Sequence, residues 1–314
     1  MADWQDFKEI FWEEAKLKLR SGVSLAAYSS FKIGGPAEYF FEANKLSQLI
    51  KAVEICKKYR LPFYVIGGGY NLLFADEGYK GLIIRNLATG LSLSEDSQWL
   101  EVHSGTKLMD LISLSLSAGL SGLEFLAGIP GTVGGAIFGN AGAFGQAIGD
   151  QVEEVVVLGE KGEERPLKEH QIHFEYRYSD LKKDHKIILK AKLKVRPDLK
   201  AKIENKIKDY LEKRASKHPP LGTPCAGSYF KNPILPDGKK IAAGMLLEKA
   251  GAREMKVGSA AVFPGHCNFI INLGGATARD VLILAAELKE KVRQNSGIIL
   301  EEEVIYVPAT ASML

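Results

Sequence analysis

The sequence predicts an α+β protein, and three kinds of stretch predict it. Some segments carry apolar residues at helical spacing, and some short apolar runs bounded by Gly and Pro have the length of strands. Two Gly-rich segments, 67–73 and 128–145, fit neither pattern. The chain has 314 residues, enough for two or three domains, with an ordinary globular composition of 46% hydrophobic and 25% charged residues.

Trp4, Phe7 and Phe11 mark an amphipathic helix over 3–19. Gly34-Gly35-Pro36 turns the chain into an apolar strand ending near Phe40. Leu46, Leu49, Ile50 and Val53 mark a second helix, and Phe63–Ile66 reads as a buried strand. Short strands are expected at 82–85 and 99–103, then a helix over 108–116 closed by Gly119. Strands should dominate to residue 196, at Val152–Leu158, Phe174–Tyr178 and Ile187–Val195. The spacing predicts a charged helix over Asp198–Arg214 with Leu199, Ile203, Ile207 and Tyr210 as its buried stripe. Residues 218–233 hold too much Pro and Gly for regular structure. Helices follow at 241–250 and 277–293, the latter capped by Thr277 and burying Val281, Leu284, Leu288 and Val292. Ile298–Val307 is the last strand.

The net charge of +3 gives no reason to expect a nucleic-acid partner. Residues 182–217 hold fourteen Lys/Arg against five Asp/Glu, either a solvated face or a surface that attracts phosphorylated substrates. Three widely spaced cysteines, Cys56, Cys225 and Cys267, suit a reducing cytoplasm and offer neither a disulfide framework nor a zinc site; no metal is expected. The N-terminus has no signal-peptide character, and no apolar run approaches the ~18 residues of a membrane span.

GIPGTVGGAIFGNAGAFG, residues 128–145, has seven Gly in eighteen residues and no charge. Such a run cannot be a stable helix interior, and Ile129, Val133, Ile137 and Phe138 make it too apolar for a linker. A buried segment of this kind needs partners for its backbone N–H and C=O groups. It is either a bare system of tight turns or the bed of a flat heteroaromatic ligand. GGGYNLL, 67–73, follows a strand and can turn N–H groups inward as a pyrophosphate nest, or it is a plain turn. It is not a Rossmann fingerprint, because Leu72 stands where the third Gly would fall, and there is no P-loop.

GGGYNLL (67–73), GLEFLAGIPGTVGGAIFGNAGAFG (122–145), YRYS (176–179), GSYFKNP (227–233) and LEEEV (300–304), in this order, resemble the UDP-N-acetylenolpyruvoylglucosamine reductase family over nearly the whole chain. The resemblance implies non-covalent FAD in a two-part α+β FAD-binding domain of the vanillyl-alcohol-oxidase type. It also implies a smaller α+β substrate domain. Residues 1–81 with 299–314 would form the first FAD-binding part, 82–200 the second, and 201–298 the substrate domain. NADPH would be the hydride donor and UDP-N-acetylglucosamine-enolpyruvate the substrate, in a cytoplasmic monomer of peptidoglycan precursor synthesis.

By the same resemblance, Gly67, Gly68, Gly69, Tyr70 and Asn71 meet the FAD pyrophosphate. Gly128, Ile129, Pro130, Gly131, Gly134, Gly135, Asn140 and Gly142 lie along the isoalloxazine. Ser228 is the proton donor, Arg177 the carboxylate-binding cation and Glu303 the acid, chosen over Glu301 and Glu302 as the last before the apolar strand. Tyr176, Lys217, Asn232 and Asn268 are substrate contacts. Tyr70 departs from the Ser usual in this family, and Ser259 replaces a smaller residue. Fifty residues separate Arg177 from Ser228, too few for the extra Tyr-bearing substrate loop of some members. Two other readings stay open on the residues: an FAD oxidase of the same fold, and a polyanion-binding module using the basic 182–217 region.

Overall fold

A computed structural model describes residues 6–95 and 98–310. The first sheet has four strands, in the order Arg20–Ser24, Pro36–Ala43, Tyr79–Asn86, Phe63–Ile66. Its first pair is antiparallel and the others are parallel. Alternation along Pro36–Ala43 decides which face each side chain takes. Tyr39, Phe41 and Ala43 pack with helices α1 (Phe7–Ala15) and α2 (Leu46–Lys58), while Phe40 turns to the opposite core with Leu25, Phe74 and Val307. The expected N-terminal helix is shorter than 3–19, ending where Lys16 adopts a left-handed φ of 56°. Trp4 lies outside the described residues, and Trp12 is exposed.

The second sheet is antiparallel throughout, ordered Glu164–Lys168, Val152–Leu158, Ile188–Lys194, Trp99–His103, Leu91–Leu93. Helix α3 (Leu108–Ser117) and α4 (Val133–Phe138) share its core through Leu111, Val133, Ile137 and Val155. Helix α3 is followed by Gly119 at φ 69°, as expected for the residue beyond a C-cap. Helix α4 corrects the expectation that the Gly-rich stretch holds no helix. Its six residues are short enough for Thr132, whose hydroxyl accepts from Gly135 N at 3.4 Å, and the buried Val133, Ala136 and Ile137 to offset the cost of Gly134 and Gly135.

Two further corrections concern strands. Phe174–Tyr178 is a tight hairpin rather than a continuous strand: Phe174 pairs with Ser179 and Glu175 with Tyr178, leaving Tyr176 and Arg177 at the tip. Helix α5 (Asp180–Lys183) follows, capped by Ser179, whose hydroxyl also donates to the Phe138 carbonyl at 2.7 Å. The last strand is only Ile305–Val307, paired in parallel with Leu72–Phe74; the preceding acidic residues run across the molecule and bridge to Phe230. Helix α6 (Lys200–Ala215) has Leu199 as its exposed N-cap rather than in its buried stripe.

The remaining core joins Ala260–Val262 and Ile270–Asn272 to α7 (Ala243–Lys249) and α8 (Ala278–Ser296). Thr277 caps α8 reciprocally with Asp280, and Val281, Leu284, Leu288 and Val292 are buried as the periodicity predicts. Asp76, from the first part of the chain, accepts from Ala278 N and Arg279 N at 2.7 and 3.1 Å, satisfying the open end of that helix.

Candidate active site

The two Gly-rich segments meet. A methyl group placed on Gly67 would lie 2.4 Å from Thr132 Oγ1, and one on Gly68 would lie 3.7 Å from Gly131 Cα. At Gly69, φ is 70° and a Cβ would stand 1.9 Å from the Tyr28 carbonyl oxygen, so only Gly fits. Gly131, at φ 135°, faces open space. Gly128, Pro130 and Gly135 are exposed while Val133, Ala136 and Ile137 beneath them are buried. The result is a surface walled by backbone, open on one side and anchored by an apolar core on the other. A flat ligand with a pyrophosphate tail fits such a surface. Tyr70 is 45% exposed, and its ring covers Gly68, where a Cβ would come within 2.5 Å of it.

Chain topology then brings acidic residues near the end of the chain to this surface. Ile305 N donates to the Asn71 carbonyl at 3.0 Å, and Asn71 Nδ2 donates to the Glu303 carbonyl at 3.0 Å. Glu303 N donates to the Tyr229 carbonyl at 2.8 Å, so Glu303 sits beside the segment carrying Ser228. Asn268 fixes that segment: its Oδ1 accepts from Phe230 N at 2.9 Å, its Nδ2 donates to Phe230 O at 2.8 Å, and its own carbonyl accepts from Tyr229 N.

Arg177 reaches the same place from the hairpin tip. Its φ is 58°, a conformation costly for a side chain with a Cβ and kept only where the surroundings enforce it. Asn140 helps enforce it by donating to the Glu175 carbonyl at 2.7 Å. Arg177 donates to the Gly142 carbonyl at 3.1 Å, and its Nε lies 2.6 Å from Glu303 Oε1. The two groups form an ion pair that is about four-fifths buried. Burial pushes the Glu303 carboxyl above the usual carboxylate range, against the opposing pull of Arg177, Lys182 and Lys231.

Tyr176 and Asn232 are brought together, with Asn232 N donating to the Tyr176 hydroxyl at 3.2 Å while Asn232 Oδ1 accepts from Ala243 N. Cations flank the Tyr176 ring, with Arg177 Cζ at 5.3 Å and Lys240 Nζ at 3.6 Å from its centroid. Lys217 is exposed just beyond α6, beside His218, which burial first and then the charge of Arg214 push down to about 4. Sequence reasoning passed over Lys182, Lys231, Lys240 and Arg214. Lys231 lies inside the GSYFKNP motif, so its position was a signal; the others stand in ordinary basic stretches that give none. Among the described residues, no cluster of His, Cys, Asp or Glu could hold a metal ion, and no helix is long and apolar enough to cross a membrane.

The chain is similar to known proteins along most of its length. The family described as an FAD binding domain matches residues 37–167, which span both Gly-rich segments. The molecule is thus built on an FAD-binding domain. The family described as UDP-N-acetylenolpyruvoylglucosamine reductase, C-terminal domain, matches residues 219–307, which carry Ser228 and Glu303. The UDP-N-acetylenolpyruvoylglucosamine reductase of Clostridium botulinum (strain Eklund 17B / Type B) is 36% identical, over 91% of this chain and 92% of its own. That of Geotalea uraniireducens is 38% identical, over 91% and 93%. The crystal structure of the Thermus caldophilus enzyme superimposes with a TM-score of 0.77 at 33% identity, over 92% of this chain and all of that one. The chain belongs to the UDP-N-acetylenolpyruvoylglucosamine reductase family.

Proposed function

We propose that this protein reduces UDP-N-acetylglucosamine-enolpyruvate to UDP-N-acetylmuramate, with FAD as its resident carrier and NADPH as the hydride source. The observation that carries the reading is the meeting of Arg177 and Glu303, two largely buried opposite charges 2.6 Å apart, beside a Gly-walled surface. FAD held there would supply the two-electron, hydride-donating chemistry that reduction of the enolpyruvyl double bond requires. Negative charge then builds on C2 and its carboxylate.

The chain's own residues meet that charge. Arg177, anchored by the Gly142 carbonyl and paired with Glu303, grips the carboxylate. Glu303, raised toward its protonated form by burial, donates a hydrogen bond to the enolate as charge accumulates. Ser228 passes its hydroxyl proton to C2, completing the addition of hydride and proton across the double bond. Gly67–Asn71 hold the pyrophosphate by backbone N–H groups, and Gly128, Ile129, Pro130, Gly131, Gly134, Gly135 and Gly142 line the ring system. Asn140 and Asn268 act through others: one holds the hairpin bearing Arg177, the other the loop bearing Ser228. Tyr176, Lys217 and Asn232 are placed on the substrate side. In this reading residues 1–81 with 299–314, 82–200 and 201–298 are the working units, in a cytoplasmic monomer.

Absorption spectroscopy tests the proposal. The purified protein should be yellow, bleach anaerobically with NADPH, and regain colour when the enolpyruvyl substrate is added. Bleaching that only O₂ reverses, with peroxide released, would assign an oxidase instead.

A further inference from the structure

His266 has no part in the mechanism so far, yet it bonds to the residue that holds the Ser228 loop. Asn268 fixes that loop through its carbonyl, which accepts from Tyr229 N at 2.8 Å, and through two side-chain bonds to Phe230. Its remaining backbone group is its own N–H. This donates to His266 Nδ1 at 3.2 Å. Asn268 is only 3% exposed, so its N–H needs a partner from the protein, and losing that partner is costly.

The His266 ring is held in place for this bond. Gly244, in the first turn of α7, leaves room for it: a Cβ there would stand 2.8 Å from His266 Cε1 and 3.7 Å from Asn268 Cβ. Phe269 meets the ring edge-on at 5.0 Å and 75°, and His218 does so at 6.2 Å and 86°. Backbone bonds brace the turn, His266 N donating to the Phe263 carbonyl and Phe269 N to the His266 carbonyl, each at 3.0 Å. A backbone N–H can only donate, so Nδ1 accepts and the ring proton sits on Nε2. Only the neutral imidazole can accept in this way. Burial first, and then the charge of Lys217, lower the His266 pKa against the opposing pull of its own backbone and Glu248, which keeps the ring neutral at pH 7.

We infer that His266 is a positioning residue: its Nδ1 pins the backbone of Asn268, and Asn268 in turn sets where Ser228 stands against the substrate. The inference rests on the proposed reaction. His266 acts through Asn268 and transfers no proton itself.

The test sets two variants of the flavin-loaded protein against each other. His266→Phe keeps a ring beside Gly244 and Phe269 but has no acceptor. His266→Asn loses the ring but keeps an acceptor at the δ position, where Asn commonly accepts from the backbone two residues on. Stopped-flow absorbance follows each half-reaction separately. Re-oxidation of the reduced flavin by UDP-N-acetylglucosamine-enolpyruvate should slow about 10-fold in His266→Phe and stay within about 3-fold of the wild type in His266→Asn. NADPH should bleach the flavin at a near-normal rate in both. The reverse order, with His266→Phe near normal and His266→Asn slow, makes the ring a packing element and overturns the inference. Re-oxidation that is equally slow in the two variants, or normal in both, also overturns it. So does equal slowing of both half-reactions in His266→Phe. A wild type whose reduced flavin this substrate fails to re-oxidise would refute the proposed reaction itself.

Discussion

Glu303→Gln separates the catalytic from the structural reading of the buried pair. The two readings predict opposite effects on stability. Were the pair present to hold the fold, breaking it would cost about 3–5 kcal/mol, a fall of ~6–10 °C in Tm at ~2 °C per kcal/mol for a large domain. The structure argues otherwise. Burial raises the Glu303 pKa in spite of three nearby cations, so the folded state disfavours its ionised form. For a carboxyl whose folded pKa is raised, stability falls as pH climbs from the unfolded value through the folded one. Ionising Glu303 in the folded state therefore costs stability. Gln keeps an acceptor for Arg177 and removes the buried charge, so Tm at pH 7 should be unchanged or higher. Activity should fall ~10²–10⁴-fold, about 3–5 kcal/mol of barrier at 1.36 kcal/mol per decade. In the wild type, the rate of flavin re-oxidation by substrate should decline as pH rises through the raised pKa, and Glu303→Gln should lose that limb. Differential scanning calorimetry and pH-resolved single-turnover traces give both readouts. A Tm lowered by more than ~5 °C with near-normal re-oxidation would refute the reasoning.

Two further substitutions probe the parts around that pair. Gly68→Val should strip FAD, because its side chain must displace the Tyr70 ring and crowd the approach to Gly131; full flavin occupancy by absorbance would remove Gly67–Asn71 from the pyrophosphate role. Asn268→Ala removes both side-chain bonds to Phe230, so substrate-driven re-oxidation should slow at least ~10-fold, with NADPH reduction of the flavin near normal and a stability loss of ~1–3 kcal/mol in urea.

Helices with strong periodicity were readable in the sequence. Thr277 and the stripe Val281, Leu284, Leu288, Val292 stand where local rules put them, because cap and pattern agree. Arg177 shows where such rules stop. An apolar-aromatic run reads as a strand, and nothing local announces that residue 177 takes φ 58°; a distant amide, Asn140, helps hold the turn. Helix α4 was hidden for a similar reason, since propensity argues against Gly while tertiary burial of Val133 and Ile137 decides the outcome. The identity of Arg177, Glu303 and Ser228 as candidates came from motif order. That Arg177 and Glu303 meet beside the segment carrying Ser228 depends on the Tyr229 carbonyl, and on Asn71 and the parallel pairing of Ile305–Val307 with Leu72–Phe74, the last two being contacts that span over two hundred residues and that no short window contains.

The central claim is that Ser228 delivers a proton to the substrate and takes no part in flavin reduction. Stopped-flow absorbance on Ser228→Ala, with the two half-reactions run separately, tests it most directly. NADPH should bleach the flavin at a near-normal rate, and re-oxidation by UDP-N-acetylglucosamine-enolpyruvate should be slower by ~10²–10⁴-fold. Equal impairment of both halves would contradict the claim, leaving Ser228 as a residue that shapes the flavin surface and the proton to come from elsewhere.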